Sequence, residues 1–365
     1  MKLAFVCRPF TFHGGVETAT AGLVAELARR GHAVTLLTTR AQRPVEGIRV
    51  RRLPVLRQPS LLRLVSFGVV ARAAARAGGY DVVQTHERMR GADVYRAGEG
   101  THRGYLEAMG REAQRSPYHR YVIRLETRMF RLDGISRIVA ISARGKAEIE
   151  RLYATPPDRV TLVYNGVDLA RFDPLARVHD RPAARVELGV EKGAWCVLFV
   201  GSGFERKGLG PLVEALALRR DPAARLVVAG KGDRTAYETL ASRRSVGRQV
   251  IWAGTRHDVE RLYVAADVVA LPARYEPFGN VHLEALASGR PMLTSVHAGG
   301  AELIQPGVNG WVVPEVTADA IAEGLERLRG TDPLALGRAA RVTAEPYTYA
   351  AQAAAFEDLY RKIVA

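Results

Sequence analysis

KLAFVCRPFTFHGGVETATAGLVAELARRGHAVTLLTT, residues 2–39, joins two apolar runs through a glycine turn and a stretch with helical spacing. KLAFVC reads as a strand and TFHGG as a turn. In VETATAGLVAELARRG the apolar residues Val16, Ala19, Leu23, Val24 and Leu27 recur near a 3.6-residue period, so a helix follows, and Gly31 is placed to stop it. HAVTLLTT is the next strand. Strands joined by a helical crossover of this length pair in parallel, which makes the segment a βαβ unit and predicts an α/β protein.

The theme continues outward. GIRVRRLPV, YDVVQTH and SRIVAIS read as strands, and LLRLVSFGVVARAAARAG and ARGKAEIERLY as helices. RVTLVYNGVDLARFDP, a strand followed by Asn165-Gly166 and then Pro174, is the candidate linker. After it the pattern restarts: strands WCVLFVGSG, ARLVVAG, VIWAG, DVVALPA, PMLTS and GWVVP alternate with helices LGPLVEALAL, TAYETLASRRS and DVERLYVAA. The expectation is two Rossmann-like, doubly wound parallel-sheet domains facing each other across a cleft. Residues 1–165 form the first and 166–345 the second, with a helix over 346–365 crossing back to the first.

Two cysteines, Cys7 and Cys196, lie inside apolar strand-like runs and read as buried free thiols rather than a disulfide or metal site. Five apolar residues before Arg8 are too few for a signal peptide, and no run is long enough to cross a membrane, so a cytoplasmic protein is expected. The formal charge of +15 is uneven, because residues 1–165 hold 28 Lys and Arg against 14 Asp and Glu. Solvated arginine-rich faces explain part of such an excess. The rest points to an anionic partner of the first half, such as a phosphorylated substrate or a membrane surface. No recognition helix or RNA-binding signature accompanies the charge, which argues against a nucleic-acid partner.

Three motifs carry chemistry. Gly14 and Gly15 lie between the first strand and helix, where glycine lets a backbone approach a ligand. They do not form G-x-G-x-x-G, and no acidic residue stands about twenty positions on, which argues against a nicotinamide enzyme. In VGSGFERKGLGPLVEAL a strand ends at Gly201-Ser202-Gly203, and Arg206 and Lys207 follow before the next helix. A guanidinium fork and an ammonium at a strand's carboxyl end suit a diphosphate; an exposed basic loop is the alternative. RYEPFGNVHLE, residues 274–284, sets Glu276 and Glu284 around Phe278, Gly279 and Asn280. A helix beginning near Gly279 would aim the Gly279 and Asn280 amides at a phosphate, leaving Glu276 and Glu284 to accept sugar and ribose hydroxyls. Capping by Glu276 is the other reading. His86, in QTHERM after a strand, is either a ligand contact at the sheet edge or a satisfied structural histidine. His13, His102 and His282 are weaker candidates.

Glu276 and Glu284, with seven residues between them, together with GSGFERKG, PFTFHGGVE, YNGVDLARFDP and HAGGAELIQPGVNGWVVP, make the chain resemble retaining glycosyltransferases of family four, which have the GT-B fold of two Rossmann domains. The resemblance runs over essentially the whole chain. Within the family, VGSGFERKGLGPLVEAL and RGADVYRAGEGTHRGYLEA are similar to the lipopolysaccharide core glucosyltransferases that act on inner-core heptose. Two positions depart from that branch, Ala19 (with Glu17 two before it) and Glu99, and both bear on the acceptor.

The resemblance implies that Glu276 binds the donor sugar's hydroxyls, Glu284 the ribose, and Arg206 and Lys207 the leaving diphosphate, with His86 on the donor sugar. It implies a nucleotide-sugar donor, UDP-glucose, as co-substrate, no other cofactor, and an anionic glycolipid or glycan acceptor. The chain contains no Asp-x-Asp, which predicts no divalent metal at the site. A GlcNAc or mannose donor with another glycan or small-molecule acceptor is the alternative. A nucleotide-sugar 2-epimerase and a non-catalytic nucleotide-sugar binder are the readings from other classes.

Overall fold

A computed structural model of the chain describes residues 1–7, 15–39, 46–56, 59–112, 116–131 and 135–365. It divides into two units, Met1–Gly166 with Tyr349–Ala365, and Val167–Thr348. The first unit contains β1 (Lys2–Val6), α1 (Gly15–Arg29), β2 (Ala33–Thr38), β3 (Ile48–Arg52), α2 (Ser60–Arg76), β4 (Val82–Thr85), β5 (Val94–Arg96), α3 (His102–Ala108), α4 (Pro117–Arg131), β6 (Arg137–Ala140), α5 (Ala143–Tyr153) and β7 (Val160–Leu162). The second contains α6 (Arg181–Leu188), β8 (Trp195–Val200), α7 (Leu209–Arg219), β9 (Ala224–Ala229), α8 (Thr235–Arg243), β10 (Val250–Gly254), α9 (Val259–Ala265), β11 (Val268–Leu271), α10 (Val281–Ala287), β12 (Met292–Ser295), β13 (Gly310–Val313), α11 (Ala318–Arg329) and α12 (Pro333–Ala344). The last helix, α13 (Tyr349–Val364), returns to the first unit.

Each unit is built on one parallel sheet, ordered β3-β2-β1-β4-β5-β6-β7 in the first and β10-β9-β8-β11-β12-β13 in the second. Alternation along β1 shows why helices cover both faces. Leu3 and Phe5 pack with Leu23, Val24 and Leu27 of α1 and Phe356 and Tyr360 of α13, whereas Ala4 and Val6 pack with Phe67, Ala71 and Ala74 of α2. Burying a large apolar side chain such as Phe5 or Phe356 contributes roughly 1.5–3 kcal/mol. Polar contacts fix α13 in place: Glu357 accepts from Arg30 Nη2 and faces His32 Nε2, both at 2.8 Å. The Arg30 hydrogen bond, offset by burial and aided by His32, holds the Glu357 carboxyl down at about 2.

Strand order reverses between β1 and β4 in the first sheet and between β8 and β11 in the second. Loops leaving the carboxyl ends of two such neighbours diverge to opposite faces and open a crevice, the usual ligand site of a doubly wound sheet. The second unit's reversal lies between the loop that follows β8, with Gly201 to Lys207, and the loop that follows β11, with Arg274 to Asn280. In the first unit, His86 follows β4. Gly14 and His13 lie outside the described residues, and Gly15 is the first residue of α1.

Candidate active site

The two loops of the second unit are bound together before any side chain is considered. Arg274 N–H donates to the Arg206 carbonyl at 2.8 Å. Glu276 is held at both backbone groups, its N–H on the His297 carbonyl at 3.2 Å and its carbonyl accepting from Gly299 N–H at 2.8 Å. Gly300 N–H reaches the Phe278 carbonyl at 2.8 Å.

Three charged side chains then converge. Arg206 Nη1 donates to the Tyr275 carbonyl at 2.6 Å and to Glu276 Oε2 at 3.0 Å. Lys207 Nζ lies 3.6 Å from the same Glu276 oxygen. Gly201 makes room for the lysine: it adopts φ +150°, and a Cβ there would stand 2.3 Å from Lys207 Nζ. Ser202 and Gly203 complete the exposed turn. Burial alone would raise the Glu276 carboxyl, but Lys207 and Arg206 pull it below its ordinary range. Burial lowers the Lys207 ammonium against the opposing pull of Glu276. Glu276 is therefore a partner of the two cations and not a helix cap.

The helix that follows starts later than the sequence indicates. α10 begins at Val281 with Asn280 before it, and Gly279 has φ +82°, outside the helical region. Glu284 accordingly lies in the first turn and not beyond it. The reason is His282, whose Nδ1 approaches the Gly279 carbonyl at 2.8 Å. A carbonyl only accepts, so Nδ1 carries the proton, and the Thr294 hydroxyl, 2.8 Å from Nε2, donates to the ring. Burial depresses this imidazole to about 4, so it is neutral at ordinary pH. A Cβ on Gly300 would stand 2.5 Å from the same ring, so His282 is a buried prop beneath the Glu276 loop.

Glu284 projects from α10, and its Oε2 accepts from the Tyr263 hydroxyl at 2.6 Å. Burial raises its carboxyl, with Tyr263 and Arg171 opposing. Nothing in the sequence spacing singled out Tyr263, a core position of α9.

In the first unit His86 is buried, with Nδ1 2.9 Å from Thr20 Oγ1 and Nε2 2.7 Å from Gln84 Nε2. Tyr360 OH donates to Gln84 Oε1 at 2.6 Å, which turns the amide nitrogen toward the ring. Burial, and then Arg96, hold His86 well below its ordinary pKa. Both ring nitrogens thus have protein partners, the geometry of a satisfied structural histidine. The sequence pointed to His86 but not to Thr20 or Gln84, which lie on α1 and β4. His102 belongs to another cluster: its N–H donates to Glu126 Oε1 at 2.8 Å, its Nε2 is 2.9 Å from His119 Nδ1, and burial lowers its ring to about 4. Glu99 pairs with Arg88 at 3.2 Å, Glu17 opens α1, and Ala19 is fully buried, where a carboxylate would be desolvated.

No helix among the described residues is long and apolar enough to cross a membrane.

Residues 13–171 match the family "Glycosyltransferase Family 4" and residues 180–336 match "Glycosyl transferases group 1". An uncharacterized glycosyltransferase of Methanocaldococcus jannaschii is 30% identical over 364 residues, covering 90% of this chain and 89% of that protein. The D-inositol 3-phosphate glycosyltransferase of Mycolicibacterium gilvum is 29% identical over 372 residues, covering 92% and 82%. The lipopolysaccharide glucosyltransferase WaaG of Escherichia coli is 26% identical over 345 residues, covering 92% and 91%. A crystal structure of WaaG superposes with a TM-score of 0.86 at 24% identity over 98% of this chain and 99% of that one, which agrees with the fold. With two Rossmann-like parallel-sheet domains and family matches over both halves, the chain belongs to the family-four, group 1 glycosyltransferases of the GT-B fold.

Proposed function

We propose that the chain transfers a hexose, glucose from UDP-glucose, with retention of configuration and without a divalent metal, to an anionic glycolipid such as the inner core of lipopolysaccharide. The observation that carries this reading is the convergence of Arg206 and Lys207 on Glu276 at the second sheet's reversal point. In the reaction the anomeric C–O bond breaks and negative charge develops on the nucleotide diphosphate. Arg206 and Lys207 stabilise that charge where it forms, so they accelerate the step rather than only bind the donor. The Gly279 and Asn280 amides add to the phosphate cradle, and Phe278 packs beneath it. Gly201, Ser202 and Gly203 let the diphosphate approach the backbone. Glu276 accepts hydroxyls of the departing sugar and Glu284 those of the ribose. The acceptor hydroxyl attacks from the leaving group's face and gives its proton to a donor phosphate oxygen. Both ring nitrogens of His86 are engaged by Thr20 and Gln84, so a contact with a donor sugar requires release of one of them.

The acceptor side rests on charge. Arg120, Arg124 and Arg128 are exposed at four-residue intervals on α4, and Leu62, Val65 and Val69 are exposed on α2. Basic residues with exposed apolar ones suit an anionic membrane surface, which supports the reading of a peripheral enzyme on the inner face of the cytoplasmic membrane. Co-sedimentation with vesicles tests this: enrichment on anionic over neutral vesicles is expected, and equal recovery contradicts it.

A second reading, a GlcNAc or mannose donor with a small-molecule acceptor, is favoured by similarity to the D-inositol 3-phosphate glycosyltransferase at comparable coverage. Competition between an anionic glycolipid and inositol phosphate for one donor separates the two. Donor incubated alone tests a 2-epimerase, which would return an epimerised sugar. Glu276→Ala tests the site: transfer is abolished with the fold retained, and near-normal turnover overturns the assignment.

A further inference from the structure

Tyr263 is fully buried on α9, and its hydroxyl meets one oxygen of a carboxylate that no other side chain hydrogen-bonds among the described residues. Its ring is clamped. Phe172 lies edge-on to it at 5.6 Å between centroids, and the Arg171 guanidinium lies 5.3 Å over the Phe172 ring while bonding Glu260 Oε2 of α9 at 3.0 and 2.8 Å. Segment 171–172, α9 and α10 are thereby locked at the carboxylate. We propose that Tyr263 is a positioning residue that sets the donor's ribose specificity: by fixing Glu284 Oε2, it orients the carboxylate so that a vicinal ribose diol is read by a single rotamer.

This rests on the assignment of Glu284 to the ribose. A glutamate has three rotatable bonds, and an exposed, unheld carboxylate would have to be ordered by the ligand itself. Tyr263 orders it beforehand, so the hydroxyls meet a fixed acceptor, and the ligand is bound more tightly for the ordering it does not have to supply. A phenol suits the task because it donates one hydrogen bond from a rigid ring and, in a buried setting, keeps its proton; burial and the Glu284 charge both push its pKa well above the ordinary value.

The test is calorimetric titration of the full chain with uridine diphosphate and its 2′,3′-dideoxy counterpart, using wild type, Tyr263→Phe, Glu284→Ala and the double variant. Tyr263→Phe is expected to weaken uridine diphosphate roughly five- to twentyfold, less than the full worth of a hydrogen bond to a charged group because only its orienting part bears on binding, and to leave the dideoxy nucleotide at wild-type affinity. The double variant should bind no worse than Glu284→Ala alone, because both changes remove one interaction. A merely structural tyrosine would weaken both nucleotides equally and lower the melting temperature; that outcome, or unchanged discrimination, overturns the proposal. If Glu284→Ala itself keeps full discrimination, the ribose assignment fails. If Glu284→Ala loses it while Tyr263→Phe keeps it, the assignment stands and the Tyr263 proposal alone is wrong.

Discussion

Lys207→Met keeps the unbranched stem of the side chain, one atom shorter, and removes its charge, which isolates the electrostatic part of the proposed chemistry. Lys207 Nζ lies 3.6 Å from Glu276 Oε2, and a leaving diphosphate oxygen bound beside the same ammonium would sit at a similar distance. Two unit charges at that separation interact by roughly 4–5 kcal/mol at an effective dielectric constant of about 20. Arg206 remains and takes up part of that charge, so the net loss should fall near that of one oxyanion donor, about 3–4 kcal/mol or 10²–10³ in kcat. Burial of an uncharged methionine in place of a desolvated ammonium should leave the fold at least as stable. The assay is initial-rate kinetics with varied donor, alongside a melting curve. If kcat stays within threefold of wild type while KM alone rises, Lys207 binds ground state and transition state alike, and the charge-stabilisation argument is refuted.

Gly201→Ala should reproduce part of this loss without touching a charge. The new Cβ would collide with Lys207 Nζ at 2.3 Å, and alanine is strained at φ +150°, so the lysine is displaced and kcat should fall about 10–100-fold at a stability cost of about 1–3 kcal/mol. Unchanged kinetics would show that the lysine's position is not set by that turn. Glu357→Gln should destabilise the chain at neutral pH by about 1.5–3 kcal/mol, the worth of a hydrogen bond to a charged group. The folded carboxyl is depressed to about 2 from 4.5, so its contribution is complete above the unfolded value and vanishes as pH falls through the folded one. Denaturant titrations from pH 7 to pH 2 should therefore show the two proteins converge on acidification; a pH-independent gap would assign the loss to packing.

Which features were legible in the sequence follows from the range of the interactions that make them. The strand-glycine-helix sequence over residues 2–39 and its restart at WCVLFVGSG mark both sheets, because apolar runs, helical periodicity and glycine turns are local signals. Strand β5, three residues in GADVYRAG, is too short to show alternation, and it exists because β4 and β6 pair with it on either side. The two glutamates and the two cations are local motifs, and the structure joins Glu276 to Arg206 and Lys207. The sequence puts the start of α10 two residues early because its limit is set by a bond from His282 to Gly279 and by Gly300 beneath that ring. Thr20 as a partner of His86 and Tyr263 as the partner of Glu284 are invisible for the same reason: they lie 66 and 21 residues away in sequence. From its place at a strand end His86 reads as either a ligand contact or a satisfied structural histidine, and the network of Thr20, Gln84 and Tyr360 engages both its nitrogens.

Mass analysis of the acceptor tests the central claim most directly. The full chain is incubated with UDP-glucose and an anionic, heptose-bearing glycolipid in the presence of a metal chelator, with Glu276→Ala in parallel. The expected result is a mass increase of one hexose with wild type, undiminished by chelation, and none with the variant. Release of uridine diphosphate without a glycosylated acceptor, or an equal yield from Glu276→Ala, would contradict it.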